Sequence, residues 1–246
     1  MAKSETMTTK DGLLPFTIEV VDDDTTLTAH AGLPLVLETM RALGLSEGLD
    51  RTLAIRRRRS GATDAQKVEA LMLLMAAGGE CVGDIEVLRA DKGLMRLVGG
   101  LPSEDVLLRF LYEFHDEHLI EQAQQRRPAG QVAYIPEESA PLVKLAEGNI
   151  AFVHAVAKQT RVTRATLDHD ATIQESHKKQ SLPHYKGGRG YQPSVIHWAE
   201  HDLVLADEYR DGNVPAAMSN LPLIQRGFAA LPRTVTERFF RADSAC

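Results

Sequence analysis

The sequence predicts an α/β chain in two unlike parts, a mainly helical region followed by a mixed sheet. Three observations carry this. Between residues 30 and 127, apolar residues recur at helical spacing in short blocks separated by glycines. From residue 161 the pattern changes to β-rich runs that end in acidic residues. In that second part the elements read in the order β, β, β, α, β. The chain has 246 residues, 43% of them hydrophobic, which is enough to build one large core or two ordinary ones. The expected organisation is a strand hairpin over 1–29, a helical region over 30–159 and the sheet region over 160–246.

Each element has a local reason. Phe16–Val21 and Thr26–Ala29 read as short strands around the acidic turn Asp22–Asp24. Gly32–Leu43 carries Leu35, Leu37, Met40 and Leu43 at helical spacing and ends near Gly44. Thr63 is a helix cap for a segment with Val68, Leu71, Leu74 and Met75, stopped by Gly78-Gly79. Helices follow over about 82–98, from Ser103 to Phe114 and from Asp116 to Arg126. A proline-containing connection, with Pro128 and Pro136, leads to a helix over about Ala140–Lys158.

Strands are expected over Arg161–Asp170, Tyr191–Ala199 and Leu203–Tyr209, the last two joined at Glu200-His201-Asp202 as a hairpin. Ala216–Leu231 reads as a helix despite Pro222, and Val235–Ala242 as the closing strand. Asp211-Gly212-Asn213 reads as a loop leading into that last helix.

Composition near the globular average excludes disordered, collagen-like and disulfide-scaffolded classes. Two cysteines, Cys81 and Cys246, give no ligand spacing and suit a reducing compartment. The apolar run Ala70–Gly78 is far too short to span a bilayer, and the polar N-terminus lacks a signal peptide's apolar stretch. The expectation is a soluble, cytoplasmic protein.

The formal charge of −6 is unevenly spread. Residues 1–50 hold three Lys/Arg against nine Asp/Glu, and the remainder is balanced at 25 of each. The densest basic cluster, Arg56-Arg57-Arg58-Arg59, follows at once. Local patches rather than the average charge decide nucleic-acid binding, so DNA stays open as a partner. The plain alternative for this cluster is a solvated loop.

Asp168 and Asp170 stand two apart at a strand end and so share a face. Asp243 ends the last strand. If the first and fourth strands are parallel neighbours, Asp170 and Asp243 converge at one sheet edge. Paired carboxylates suit an oxygen-seeking cation such as Mg²⁺, whereas the plain alternative is that each Asp caps a turn. His177, Lys178, Lys179, His184, Lys186 and Arg189 form a basic stretch, a DNA-contacting loop or a solvated turn. Its glycines do not spell a phosphate loop. Tyr185 and Tyr191 suit either base stacking or sheet packing. His115 and His118 lack further ligands and read as surface residues, and no Ser-His-Asp or Cys-His triad has a supporting spacing.

Four motifs then add a resemblance. They are Thr166-Leu167-Asp168-His169-Asp170-Ala171-Thr172, Tyr185-Lys186-Gly187-Gly188-Arg189-Gly190-Tyr191-Gln192-Pro193, Asp207-Glu208-Tyr209-Arg210-Asp211-Gly212-Asn213 and Arg241-Ala242-Asp243-Ser244. In this order they resemble the catalytic domain of bacterial insertion-sequence DDE transposases, which have a ribonuclease H-like core. The similarity covers about residues 160–246 and extends more loosely to residue 14.

The resemblance implies a DNA-binding and dimerising helical region and the first part of a ribonuclease H-like fold. It assigns Asp170 and Asp243 as metal-binding catalytic carboxylates for Mg²⁺ or Mn²⁺, with Asp168 the lesser candidate. Its partners are transposon terminal inverted repeats and target DNA, bound as a homodimer, with nucleoid association when on DNA. It makes Arg56, Arg57, Arg58, Arg59, Lys178, Lys179, Lys186 and Arg189 DNA contacts.

The family's third acid is a helical Glu well downstream of the second Asp, whereas Glu175, Glu200, Glu208 and Glu237 all precede Asp243. The expectation is therefore a C-terminally truncated transposase, inactive alone in strand cleavage and transfer. The alternative is a non-catalytic DNA-binding regulator of transposition.

Overall fold

A computed structural model describes residues 5–7, 18–20, 27–57 and 59–243. The acidic turn Asp22–Asp24, Arg58 and Ser244 lie outside the described residues. Glu5–Met7 (β1) pairs antiparallel with Ile18–Val20 (β2), so the second segment's partner precedes it rather than follows. The expected strand at Thr26–Ala29 is not formed over 27–29. That stretch is held by Asp91, whose carboxylate accepts from Thr28 Oγ1 at 2.7 Å and the Ala29 amide at 3.2 Å. A Cβ on Gly93 would lie 2.1 Å from the Leu27 carbonyl oxygen, so Gly93 permits this approach.

Leu33–Ala42 (α1) buries Leu33, Leu37 and Met40, while Leu35 faces outward. Gly44, read from sequence as a stop, has φ 75° and turns the chain straight into Leu45–Thr52 (α2), a helix not anticipated. Thr63 and Gln66 form a reciprocal capping box on Asp64–Ala76 (α3). Its buried residues include Ala70, Leu73 and Leu74, and Met75 is exposed.

The segment 82–98 is broken rather than continuous. A 3₁₀ turn at Val82–Asp84 leads into Ile85–Ala90 (α4) and then Lys92–Val98 (α5). The break falls at Asp91, which leaves helical geometry to cap α5 through the Leu94 amide at 2.8 Å. Glu104–Tyr112 (α6) and Glu117–Arg126 (α7) follow, the latter capped by the Asp116 side chain. Leu37, Leu49, Leu73, Ile85, Leu94, Leu107 and Phe110 form one core.

Ala140–Thr160 (α8) bridges the two parts. Leu145 and Phe152 pack on the first core, while Val153 and Ala157 are buried in a second. The main sheet consists of Arg164–Ala171 (β3), Ser194–Trp198 (β7), Leu203–Glu208 (β8) and Glu237–Ala242 (β9), in the order β8-β7-β3-β9. The β3–β7 and β7–β8 pairs are antiparallel, and β3–β9 is parallel. Between β3 and β7, Gln174–Glu175 (β4), Leu182–Pro183 (β5) and Arg189–Tyr191 (β6) form a small sheet of order β4-β6-β5.

The single strand expected over Tyr191–Ala199 is therefore two. Pro193, which has no N–H to give a ladder, separates them, and its carbonyl accepts from Thr172. Asn220–Ala230 (α9) is shorter than expected at its N-terminus. Pro222 lies in its first turn, where the missing N–H has no intrahelical partner to lose. Helices α8 and α9 cover one face of the sheet, with Val153, Leu223 and Ala230 against Leu167, Ile196 and Trp198. Gly227 allows the contact, since a Cβ there would lie 2.5 Å from Ile196 Cγ2. Among the described residues no helix is long and apolar enough to cross a membrane.

Candidate active site

The alternation of β3 sorts its residues to two faces. Ala165, Leu167 and His169 are buried toward α8 and α9, while Asp168 is partly exposed and Asp170 exposed on the other side. The parallel register pairs Asp168 with Arg241 and His169 with Ala242. Asp170 and Asp243 are the next residues along the two segments, Asp243 being the first after β9. If that register continued one step, the strand spacing of about 4.8 Å would put the two carboxylates near one another.

The electrostatics distinguish the acids. Asp168 receives both arms of the Arg241 guanidinium, each at 2.6 Å. That hydrogen-bonded pair, against a smaller opposing effect of burial, holds Asp168 below the usual carboxylate range. Its oxygens are thus taken by an arginine. Asp170 is bound locally, accepting from the Ala171 amide at 2.8 Å and Thr172 Oγ1 at 3.1 Å.

Beneath these acids lies a buried polar layer that sequence reasoning missed. His169 is 4% exposed and its Nε2 lies 2.7 Å from Ser194 Oγ. Burial, and then the Arg210 charge, push the His169 imidazole down toward neutrality, although Asp170 and Asp243 both pull the other way. Arg210 is 1% exposed, and donates to Glu208 Oε2 at 2.6 Å and Asn220 Oδ1 at 3.0 Å. Its Nη2 and His169 Nδ1 find no hydrogen-bond partner among the described residues. The one sequence signal was an arginine between acids in the Asp207–Asn213 motif.

The small sheet sits beside this layer. The Arg210 carbonyl accepts from Gln192, and the Gly212 amide donates to the Gly190 carbonyl at 3.0 Å. A Cβ on Gly190 would lie 2.2 Å from the Gln174 oxygen, and one on Gly212 would lie 2.7 Å from the Gly190 oxygen. The glycines of both motifs are therefore close-approach residues. Asp211-Gly212-Asn213 docks onto β6 some residues before α9 begins, a more specific role than a helix-leading loop.

Lys178, Lys179 and Lys186 are exposed on the small sheet's loops, and Tyr185 is exposed beside Lys186. Arg189 is also exposed, but its guanidinium donates to the Lys179 and Ser181 carbonyls and so braces the loop. Arg56, Arg57 and Arg59 are exposed in the helical region, away from the acids' sheet. His115 and His118 are exposed beside Glu117 and Glu121. Among the described residues, no group of three or more His, Cys, Asp or Glu is arranged to hold a metal ion.

Comparison with curated proteins and with solved structures gives no match. The profile of the family described as "Transposase DDE domain group 1" matches residues 15–246, nearly the whole chain. A family match of that extent, over a chain with a helical N-terminal region and an α/β sheet, means that this protein belongs to the DDE transposase family.

Proposed function

We propose that this chain acts in DNA transposition on transposon terminal repeats and target DNA, with Asp170 and Asp243 as its metal-binding carboxylates. The observation that supports the reading is the parallel β3–β9 register, whose last pair, His169 with Ala242, immediately precedes the two acids in sequence. Their donor set, two hard carboxylate oxygen ligands at a solvent-facing strand edge, fits Mg²⁺ or Mn²⁺ with water completing the shell. Such an ion, when held, supplies charge that activates an attacking water or 3′-hydroxyl and offsets charge on the leaving oxygen.

The chain's own residues do the rest. Arg241 occupies Asp168 and so directs binding to the next pair. His169, bonded to Ser194, ties the end of β3 to β7, and Arg210 joins Glu208 on β8 to Asn220 on α9. Lys178, Lys179 and Lys186 take phosphates, and Arg189 shapes their loop. The order β8-β7-β3-β9, with β3 and β9 parallel, supports a ribonuclease H-like sheet. The resemblance adds a homodimer to this reading.

In this reading the chain holds an ion and DNA without completing strand transfer. A second reading, a DNA-binding regulator without chemistry, is favoured by one observation: the arginines lie in the helical region, apart from the acids.

One assay tests these points. With Mg²⁺ and a duplex carrying a family-type terminal repeat, the chain is expected to bind that duplex above random DNA without joining strands. Equal affinity for both duplexes contradicts the transposition reading. Robust strand transfer that Asp170→Ala abolishes overturns the incomplete site.

A further inference from the structure

The geometry points to a small-molecule site at the junction of the two cores, a cleft for an organic cation whose apolar body packs between the helices and whose head is held by Asp207. This inference stands apart from the metal and DNA reading above. The cleft has a volume of about 310 Å³, in the range of sites that enclose one ring and a short chain. Its apolar wall comes from both parts of the molecule: Leu45 and Leu49 of α2, Met72 of α3, Leu145 and Phe152 of α8, and Leu205 of β8. Leu45, Leu49 and Leu205 are buried core residues, so this wall is built into the fold.

One end of the cleft is polar, and most of its groups are already committed. Arg226 of α9 donates through Nη1 to Glu138 Oε1 at 2.7 Å and through Nη2 to the Asp207 carbonyl at 3.2 Å. Asn149 donates its Nδ2 to the Val204 carbonyl at 2.9 Å. The Asp207 carboxylate has no hydrogen bond or ion pair of its own among the described residues. It is exposed within the cleft, yet burial pushes its carboxyl up, against a weaker pull from the Arg226 charge. A carboxylate short of both water and a partner is stabilised by a cation brought to it.

The surrounding charge disfavours other ligands. An anion would find Arg226 engaged with Glu138 and would face Asp207 as well. A neutral apolar molecule would cover the wall but leave Asp207 without a partner. The adjoining cleft shares Glu138, Ala146 and Arg226 with this one and adds Glu137, Glu147 and Glu208 with no further cation in its lining. The approach is therefore negative and draws cations in. Because the wall comes from both cores, an occupant ties the helical region to the sheet and stabilises the folded chain by linkage.

The test titrates phenylbutylamine into the full chain, with phenylbutanol and phenylbutyrate as its neutral and anionic counterparts. The readout is the methionine methyl NMR spectrum, in which the Met72 signal is assigned by its loss in Met72→Leu. The amine is expected to shift that signal saturably and to bind roughly fivefold tighter than the alcohol, the range of a partly exposed ion pair. The carboxylate is expected to bind more weakly than the alcohol. Asp207→Asn keeps the side chain's size, and should remove the amine's advantage while leaving the alcohol's affinity unchanged. Ala146→Phe, which fills the cleft, should abolish binding of both. Equal affinity of amine and alcohol for the unaltered chain, or an advantage that survives in Asp207→Asn, overturns the proposal. So does a Met72 signal that none of the three probes moves at millimolar concentration. None of these outcomes bears on Asp170 and Asp243.

Discussion

Carboxylates in the helical region and at the sheet edge are put to opposite uses. Asp64 and Asp91 are surrounded by donors from their own chain: Ile55, Arg56 and Lys67 for one, Thr28, Ala29, His30 and Leu94 for the other. Burial works to raise Asp64, but Lys67 and the two amides outweigh it, and the carboxyl ends below its usual range. For Asp91 the Leu94 amide and the Thr28 hydroxyl lead, and the carboxyl is pulled down to about 2. Asp170 instead stands exposed at a strand end, bound by its immediate neighbours and next along the strand from the last β3–β9 pair. A carboxylate saturated by its own fold stabilises that fold. One presented at a strand edge is available to an external cation.

The largest effect that sharpens this contrast is expected beneath the sheet. Arg210→Met leaves Glu208 without its partner and should cost about 3 kcal/mol, the usual consequence of breaking a buried ion pair from one side. Hydrogen exchange should then show protection lost in β3, β7 and β8 while α3 keeps its own. Uniform loss across both regions would mean that the two cores do not respond separately.

The smaller effect is in the helical region. Asp91→Ala should cost about 1 kcal/mol as a lost cap. The sign with pH follows from the lowered carboxyl. Its contribution is complete above the unfolded value of about 3.8 and is lost as pH falls toward about 2. Thermal melts of the variant should therefore match wild type most closely at the acid end of pH 2–5. A difference that widens on acidification would contradict the assignment.

How much of this was legible from sequence depended on the range of the interaction. Thr63 marked its helix because a cap needs only residues three or four apart. Gly44 marked the end of α1, but the same left-handed glycine also begins α2, which no sequence signal announced. The N-terminal strand pair formed with a different partner, and the strand expected over Thr26–Ala29 did not form over 27–29, where Asp91 claims Thr28 and Ala29 from more than sixty residues away. At the candidate site, Asp170 and Asp243 are proposed from four motifs in order. The burial of Arg210 and the Asp168–Arg241 pair were not legible there, because periodicity cannot show which cross-strand partner a side chain meets.

The central claim is that Asp170 and Asp243 act as one pair. Mn²⁺ binding to the full chain, followed by electron paramagnetic resonance, tests it through Asp170→Asn, Asp243→Asn and the double variant. Each single change should weaken binding by roughly 10-fold or more, and the double should be little worse than either, the non-additivity expected of shared ligands. Wild-type affinity in either single variant, or fully independent effects that multiply in the double, would contradict the claim.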